Sequence, residues 1–407
     1  MKERIYPKVQ VSEKAERSLR SGHPWVFGTE VQAQDANVAD GQLADVVSSK
    51  GRYLGTGFVN RRSKIAVRVI SQNANDRFDE AFWRRRVRHA LEYRRTVMGE
   101  DLTCCRLLFG EADLFPGFTV DRFGQVLVCQ TLSLGIEGIK PLLFRLLFEE
   151  LKEMGVPITS IYERNDVGIR ALEGMEEYKG FFEMEGLETC PTHILLTENG
   201  IQYEVDIENG QKTGFFLDQK YNRRAVASLC RGKKVLDCFT HTGAFALNAA
   251  AGGAEYVHAV DISADAVELA RANAERNGLA SRMSFEKANV FDLLTRMSEE
   301  NSADYDLIIL DPPAFTKSHG TVRNAVRGYK EINLKAMKLL PRGGYLATCS
   351  CSHFMTEELF CKMLRDAARD AGVSLRQIEA RQQSPDHPIL WGVPETNYLK
   401  FYLFQVF

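Results

Sequence analysis

The chain has 407 residues, of which 44% are hydrophobic and 26% charged, with a formal net charge of −2. That balance excludes a disordered chain, and the length exceeds one ordinary core, so two or three domains are expected. No run reaches the roughly 18 apolar residues that cross a bilayer, and the start MKERIYPKVQ lacks the apolar stretch of a signal peptide; a cytoplasmic protein with no membrane partner is expected.

Nine cysteines without secretion signals read as reduced thiols rather than a disulfide framework. The charge is uneven. Residues 1–100 carry 19 Lys and Arg against 12 Asp and Glu, a basic front on an acidic body, as in a polyanion-binding module joined to something else.

From Tyr6 to about Ser71, β-branched segments punctuated by glycine (LADVVSSKGRYLGTGFVN, KIAVRVIS) predict a small β-barrel. It carries one brief helix that Ser12 can cap and Gly22 can close. A helix is predicted over about Phe78–Val97, burying Trp83, Val87, Ala90 and Leu91. Its arginines at 84, 85, 86, 88, 94 and 95 read equally as a polyanion contact or a solvated face. Cys104 to Glu185 reads as α+β: strands in FTVDRFGQVLVCQ around a turn at Phe123–Gln125, a helix over IKPLLFRLLFEELKEMG, and a strand at SIYERN. HILLTENGIQYEVDI predicts a hairpin about Asn199-Gly200. From Lys233, strand, turn and helix alternate through KKVLDCF, FALNAAAGG, YVHAVDI, ADAVELARANAERNG, MSFEKAN, YDLIILDPP, EINLKAMKLL and GGYLATCSCS. The fold class is therefore α/β, with a parallel-rich, Rossmann-like sheet covered by helices on both faces.

In such a sheet a ligand sits beyond the carboxyl ends of the strands. The first strand leads into Asp237-Cys238-Phe239-Thr240-His241-Thr242-Gly243-Ala244-Phe245, whose single glycine disfavours a dinucleotide. Asp261 follows the second strand, 24 residues after Asp237, where a carboxylate can accept both hydroxyls of an adenosine ribose. The adjacent Ile262 can cover an adenine face, and a polar side chain within Ala288-Asn289-Val290-Phe291 can meet the adenine amine. A ribose-reading acid without a phosphate cradle suits a nucleoside-like cofactor with a cationic tail, S-adenosylmethionine (AdoMet), its amino end toward Asp237. Helix capping alone would account for either aspartate taken singly.

The fourth strand ends ILDPPAF. Prolines there stop the strand and hold the Asp311 carboxylate and nearby carbonyls outward, for the amide or amino edge of a base on which Phe315 can stack. The bland alternative is a simple strand breaker. Cys349 and Cys351, two apart on the last strand, share a face, with Cys351 nearer the ligand end. Carbon 5 of cytosine becomes nucleophilic only after addition at carbon 6, a task for a thiolate. With a pKa of roughly 8.5 that thiol needs a nearby cation or base; a lone cysteine is more commonly a buried hydrophobe. Neither Cys104-Cys105 nor Cys349-x-Cys351 has the paired spacing of a metal site, so no metal is expected.

The combination of GQKTGFFLDQKYNRR (Gly210–Arg224), VLDCFTHTGAFAL, AVDIS, ILDPPAF and SCS resembles the ribosomal RNA large-subunit methyltransferase I family, which makes 5-methylcytosine in 23S ribosomal RNA. The resemblance covers nearly the whole chain. It implies a PUA RNA-binding domain over residues 1–72, a central α+β domain over 73–188 that includes ERNDVGIRALEGM, and a class I AdoMet-dependent methyltransferase domain over 189–407. It further implies that Thr213, Phe215, Asp218, Gln219 and Arg223 help form the AdoMet pocket and that Asp237, Thr240, Thr242, Gly243, Phe245, Asp261 and Ile262 hold the cofactor. Asp311, Pro312 and Pro313 would receive the base, and Cys351 would be the nucleophile. Asn289 stands where many such enzymes carry an acid, and Cys349 is a second candidate thiol.

The expected activity is AdoMet-dependent methylation of cytosine carbon 5 in RNA, 23S rRNA by the resemblance, with Arg61, Arg62, Lys64 and Arg68 contacting the RNA. One rival is a methyltransferase acting on an exocyclic base amine, which needs the Asp-Pro-Pro carbonyls and no thiol. Another is a noncatalytic RNA-binding factor on the same fold. A homodimer is admitted by the sequence and not required by it.

Overall fold

A computed structural model describes residues 4–300, 304–316 and 318–407. The chain divides into two compact units. One runs to Leu196 and takes in Val205–Leu217 and Pro385–Thr396; the other comprises Thr197–Glu204, Asp218–Ser384 and Asn397–Phe407.

The first unit holds two sheets. Its six-stranded sheet runs, in spatial order, Trp25–Phe27, Ile65–Ser71, Tyr53–Val59, Leu43–Ser48, Lys8–Val11 and Val31–Gln34. Val26 on one edge strand and Val31 on the other pack into one core with Val9, Val11, Val46 and Val67, as a sheet curled toward closure requires. The brief helix is Glu13–Arg20, with the Ser12 hydroxyl accepting from the Ala15 amide at 3.3 Å. The second sheet orders Tyr178–Phe181, Ser160–Asn165, Val126–Thr131, Phe118–Phe123 and Cys104–Phe109, antiparallel except for one parallel pair. That pair, Val126–Thr131 with Ser160–Asn165, is spanned by the helix Leu134–Glu153, because parallel neighbours need a long crossover.

The arginine-bearing helix is Glu80–Met98, capped by Asp79. Its cations are mostly consumed within the unit. Arg84 and Arg88 pair with Glu150 at 3.2 and 2.8 Å. Arg94 is fully buried, gripping Asp113 at 2.5 and 2.7 Å and donating to the backbone carbonyl of Asp386 at 2.9 Å.

The hairpin His193–Glu198 and Ile201–Asp206 turns at Asn199 (φ 55°) and Gly200 (φ 78°), the left-handed pair that a two-residue hairpin turn demands. The second unit is built on a seven-stranded sheet: β1 Lys234–Cys238, β2 Tyr256–Asp261, β3 Met283–Lys287, β4 Leu307–Leu310, β5 Tyr345–Ser350, β6 Leu375–Arg381 and β7 Lys400–Val406, in the order β3-β2-β1-β4-β5-β7-β6. The first five are parallel; β7 runs antiparallel to both neighbours. The order reverses between β1 and β4, the crevice where such sheets take ligands. Buried apolar residues of β1, β4 and β5 join the helices Val322–Leu339 and Glu357–Ala371 in one core that includes Leu236, Ile308, Tyr329, Leu346 and Phe360. The helix after β4 begins earlier than the EINLKAMKLL segment predicts, and the final antiparallel pair β6–β7 escaped the sequence pattern. Among the described residues no helix is long and apolar enough to cross a membrane.

Candidate functional site

Asp237 sits near the end of β1 with both flanking strands paired to it, so its side chain is 1% exposed. Oδ2 accepts from the Thr240 hydroxyl at 2.6 Å and the Ala246 amide at 2.9 Å. Oδ1 is buried with no partner among the described residues, and so is the hydroxyl of Thr242. Burial, reinforced by the charges of Asp311 and Asp261, pushes the Asp237 carboxyl up to about 7. The loop that follows alternates left-handed residues: Phe239 (φ 65°), His241 (φ 51°) and Gly243 (φ 83°). Non-glycine residues seldom adopt that conformation and hold it only where their surroundings impose it. One such constraint is visible: the His241 amide donates to Asp261 at 2.9 Å.

Asp261, at the end of β2, also accepts from the Ser263 amide at 2.9 Å. It therefore braces the loop and the next helix start, while each oxygen keeps a lone pair for a hydroxyl. Ile262 is 67% exposed beside it. Asn289 is exposed and accepts from the Phe291 amide at 3.0 Å, which uses its carbonyl as a helix cap and leaves its amide group to donate.

On the other side of the crevice, Asp311 follows β4 and accepts from the Gln219 amide at 3.0 Å. Burial and the charge of Asp218 push it up to about 6. Asp218 in turn accepts from the Tyr398 hydroxyl at 2.6 Å. Arg223 is buried against Glu198 at 2.6 Å, its guanidinium 5.8 Å from the Phe245 ring centre. The second unit thus gathers Asp218, Gln219, Arg223, Asp237, Thr240, Thr242, Gly243, Phe245, Asp261 and Asp311 around the carboxyl ends of β1, β2 and β4. Thr213 and Phe215 belong to the first unit, where the Thr213 hydroxyl donates to Asp121 at 2.6 Å and Phe215 is buried.

These residues fit a cationic nucleoside. Buried carboxylates that raise one another's pKa, with an orphaned oxygen on Asp237, form a site that gains by receiving positive charge. The sulfonium and ammonium of AdoMet would supply it, and Asp261 would be left for ribose hydroxyls.

Beyond Asp311, Pro312 is buried and Pro313 exposed. Phe315, expected to stack on a base, is partly exposed, and its ring centre lies 4.5 Å from that of Tyr329 and 5.8 Å from that of Phe291. The two thiols also differ. Cys349 lies within β5, fully buried and hydrogen-bonded with Asp311 and Gln219, and burial pushes its thiol well up. Cys351 lies just past the strand, partly exposed, with Sγ 4.0 Å from the carbonyl oxygen of Pro312.

Two residues that the sequence patterns missed are Tyr398, bonded to Asp218, and Lys400, whose Nζ donates to the carbonyls of Ser352 (2.6 Å) and Tyr398 (2.8 Å). A lysine opening the apolar run KFYLF was the available signal.

In the first unit, Arg61, Arg62 and Lys64 are exposed, Arg61 pairing with Asp40 at 2.9 Å. Arg68 is not part of that surface. It is buried and paired with Glu173 at 2.8 Å, since a mid-strand position facing the interior forces its charge onto an internal carboxylate.

Residues 176–405 match a family model described as S-adenosylmethionine-dependent methyltransferase, and residues 9–72 match a PUA-like domain. The chain is 41% identical over 388 residues to ribosomal RNA large subunit methyltransferase I of Aeromonas salmonicida, covering 95% of this chain and 96% of the relative. It is 38% identical to the protein of the same name in Klebsiella pneumoniae, over all of both chains. Among solved structures, a protein of Streptococcus mutans assigned as a SAM-dependent methyltransferase shares the fold with a TM-score of 0.81 at 23% identity, covering 98% of this chain and 99% of that one. A methyltransferase complexed with SAH superposes with a TM-score of 0.82 at 22% identity and the same coverage. The homodimer admitted by the sequence gains no support from these relatives.

Proposed function

Because the chain belongs to the ribosomal RNA large subunit methyltransferase I family, we propose that it methylates carbon 5 of a cytosine in large-subunit ribosomal RNA through a covalent adduct with Cys351. A ribosomal RNA substrate goes with a cytoplasmic location. Residues 1–72 then serve RNA binding, 73–188 form a central domain and 189–407 carry the chemistry.

The observation that supports this reading is the position of Cys351: partly exposed past the end of β5, beside the Asp311-Pro312-Pro313 turn and apart from the buried Cys349. When bound, AdoMet supplies an electrophilic methyl group. Asp237 would accept its ammonium and Asp261 its ribose hydroxyls. The target base must leave its stack to reach the crevice, where Asp311 and the carbonyls beside the prolines orient its polar edge. The Cys351 thiolate bonds to carbon 6, and the electron pair of the carbon 5–carbon 6 double bond moves to carbon 5, which takes the methyl. A base removes the carbon 5 proton, and expulsion of the thiolate restores the ring.

Mass spectrometry of nucleosides from RNA treated with the wild type and with Cys351→Ala tests this. The variant is expected to bind AdoMet and form no 5-methylcytosine. Full activity would overturn the covalent route, and a methyl on nitrogen would favour the amine-directed rival. No AdoMet binding by the wild type in calorimetry would favour a noncatalytic RNA-binding factor.

A further inference from the structure

Lys400 opens β7, paired in register with Ser350, the residue before Cys351. Its side chain is 6% exposed. Two of its three N–H groups donate to the carbonyls of Ser352 and Tyr398 at 2.6 and 2.8 Å, which ties the ammonium to the residue directly after Cys351. The acidic groups whose charges act on it are Cys351 and, less strongly, Glu357, and Glu357 already accepts from the Tyr402 hydroxyl at 2.7 Å. Among the described residues no carboxylate pairs with this buried ammonium, which is costly, and its burial pulls it down to about 8, still mostly charged at neutral pH.

Two titratable groups near the sulfur oppose its ionisation. Cys349 and Tyr329 are both pushed up by burial, and each feels the charge of Cys351 as a repulsion. Asp311, bonded to Cys349, is neutral or negative. His353, two residues on, has a buried Nδ1 with no partner among the described residues.

We propose that Lys400 is the positioning cation of the nucleophile: its ammonium, fixed by the carbonyls of Ser352 and Tyr398, favours the thiolate of Cys351 and holds the loop that presents it. The assignment rests on the reading of Cys351 as nucleophile given above. It meets the chemical need for a nearby cation, since a thiol in ordinary surroundings is largely protonated at neutral pH.

The test is the pH dependence of Cys351 alkylation by iodoacetamide, followed by peptide mass spectrometry that separates it from Cys349, in the wild type, Lys400→Met and Lys400→Arg. Methionine keeps the length and removes the charge, a replacement that buried ion sites tolerate; unchanged AdoMet affinity verifies the fold. The Met variant is expected to raise the Cys351 titration by roughly 1–3 units, slowing alkylation at pH 7 at least about tenfold, and to shift the acid limb of the methyl-transfer profile upward. The Arg variant is expected to restore part of both. An unshifted profile in folded Lys400→Met overturns the proposal. Should that variant not fold, the wild type decides: titration at or above roughly 8.5 overturns it, and titration well below supports it. Retained methyl transfer in Cys351→Ala would instead sink the nucleophile reading, whatever the alkylation shows.

Discussion

The sulfur of Cys351 stands 4.0 Å from the carbonyl oxygen of Pro312, while Cys349, two residues earlier, is sealed beneath it against Asp311 and Gln219. β5 ends at Ser350, so the alternation that would put both thiols on one face stops between them. The strand end is what separates a structural sulfur from a presented one.

The two cysteines should therefore respond differently to substitution. Cys349→Ala is expected to cost about 1–2 kcal/mol of stability through lost packing and to keep most methyl transfer, whereas Cys351→Ala should leave stability nearly unchanged and abolish transfer. Denaturation curves with single-turnover assays check both; the reverse pattern would move the nucleophile to Cys349.

Asp237 makes stability depend on pH with a definite sign. Its carboxyl is pushed up to about 7 in the folded chain from 3.8, so the folded state holds that proton more tightly. This group's contribution is most favourable below about pH 4 and is lost as pH rises to about 7, by up to about 4 kcal/mol. Asp237→Asn should reduce that slope in AdoMet-free protein, measured by urea denaturation from pH 4 to 8, leaving the part below pH 6 that Asp311 contributes, and should weaken AdoMet binding most at pH 8, where the wild type carries the carboxylate.

Arg68 and the exposed cations near it should fall into separate classes. Arg68→Ala leaves Glu173 buried without its ion partner, an expected loss of about 3–5 kcal/mol. The triple variant Arg61→Ala, Arg62→Ala, Lys64→Ala should instead keep its stability, lose RNA affinity and show a shallower salt dependence. Thermal melts and RNA binding at several salt concentrations distinguish these; an unaltered salt slope in the triple variant counts against an RNA contact there.

Gly243 has φ +83°, and a Cβ placed on it would come 3.0 Å from the Ala270 side chain and 3.3 Å from that of Leu247. Gly243→Ala is expected to cost about 1–2 kcal/mol from the left-handed backbone alone and to lower AdoMet affinity by disturbing the loop between Asp237 and Asp261. Calorimetry reads the second effect; full affinity would show that the loop tolerates the shift.

The sequence was most legible where one residue type enforces one local geometry. Asn199-Gly200 makes its turn wherever it sits, Ser12 caps its helix, and Asp311-Pro312-Pro313 ends its strand. The alternation from Lys233 onward marked the parallel sheet because buried central strands must be apolar throughout. Less legible were positions whose environment is set by distant segments. The arginines of Glu80–Met98 look alike as text, yet Arg94 meets Asp113 and the Asp386 carbonyl in the interior while Arg85 remains exposed.

By itself the chain of residues determined the order of the elements, the acidic loop ends suited to AdoMet and the presence of two thiols near the last parallel strand, because periodicity, turn chemistry and strand termination act over a few neighbours. Only the tertiary structure decided that Phe315 joins an aromatic wall, that Arg68 turns inward to Glu173, and that Lys400 returns on an antiparallel strand to lie beside the residue following Cys351. Those outcomes depend on which surfaces become buried together, and burial is settled by the whole fold rather than by local spacing.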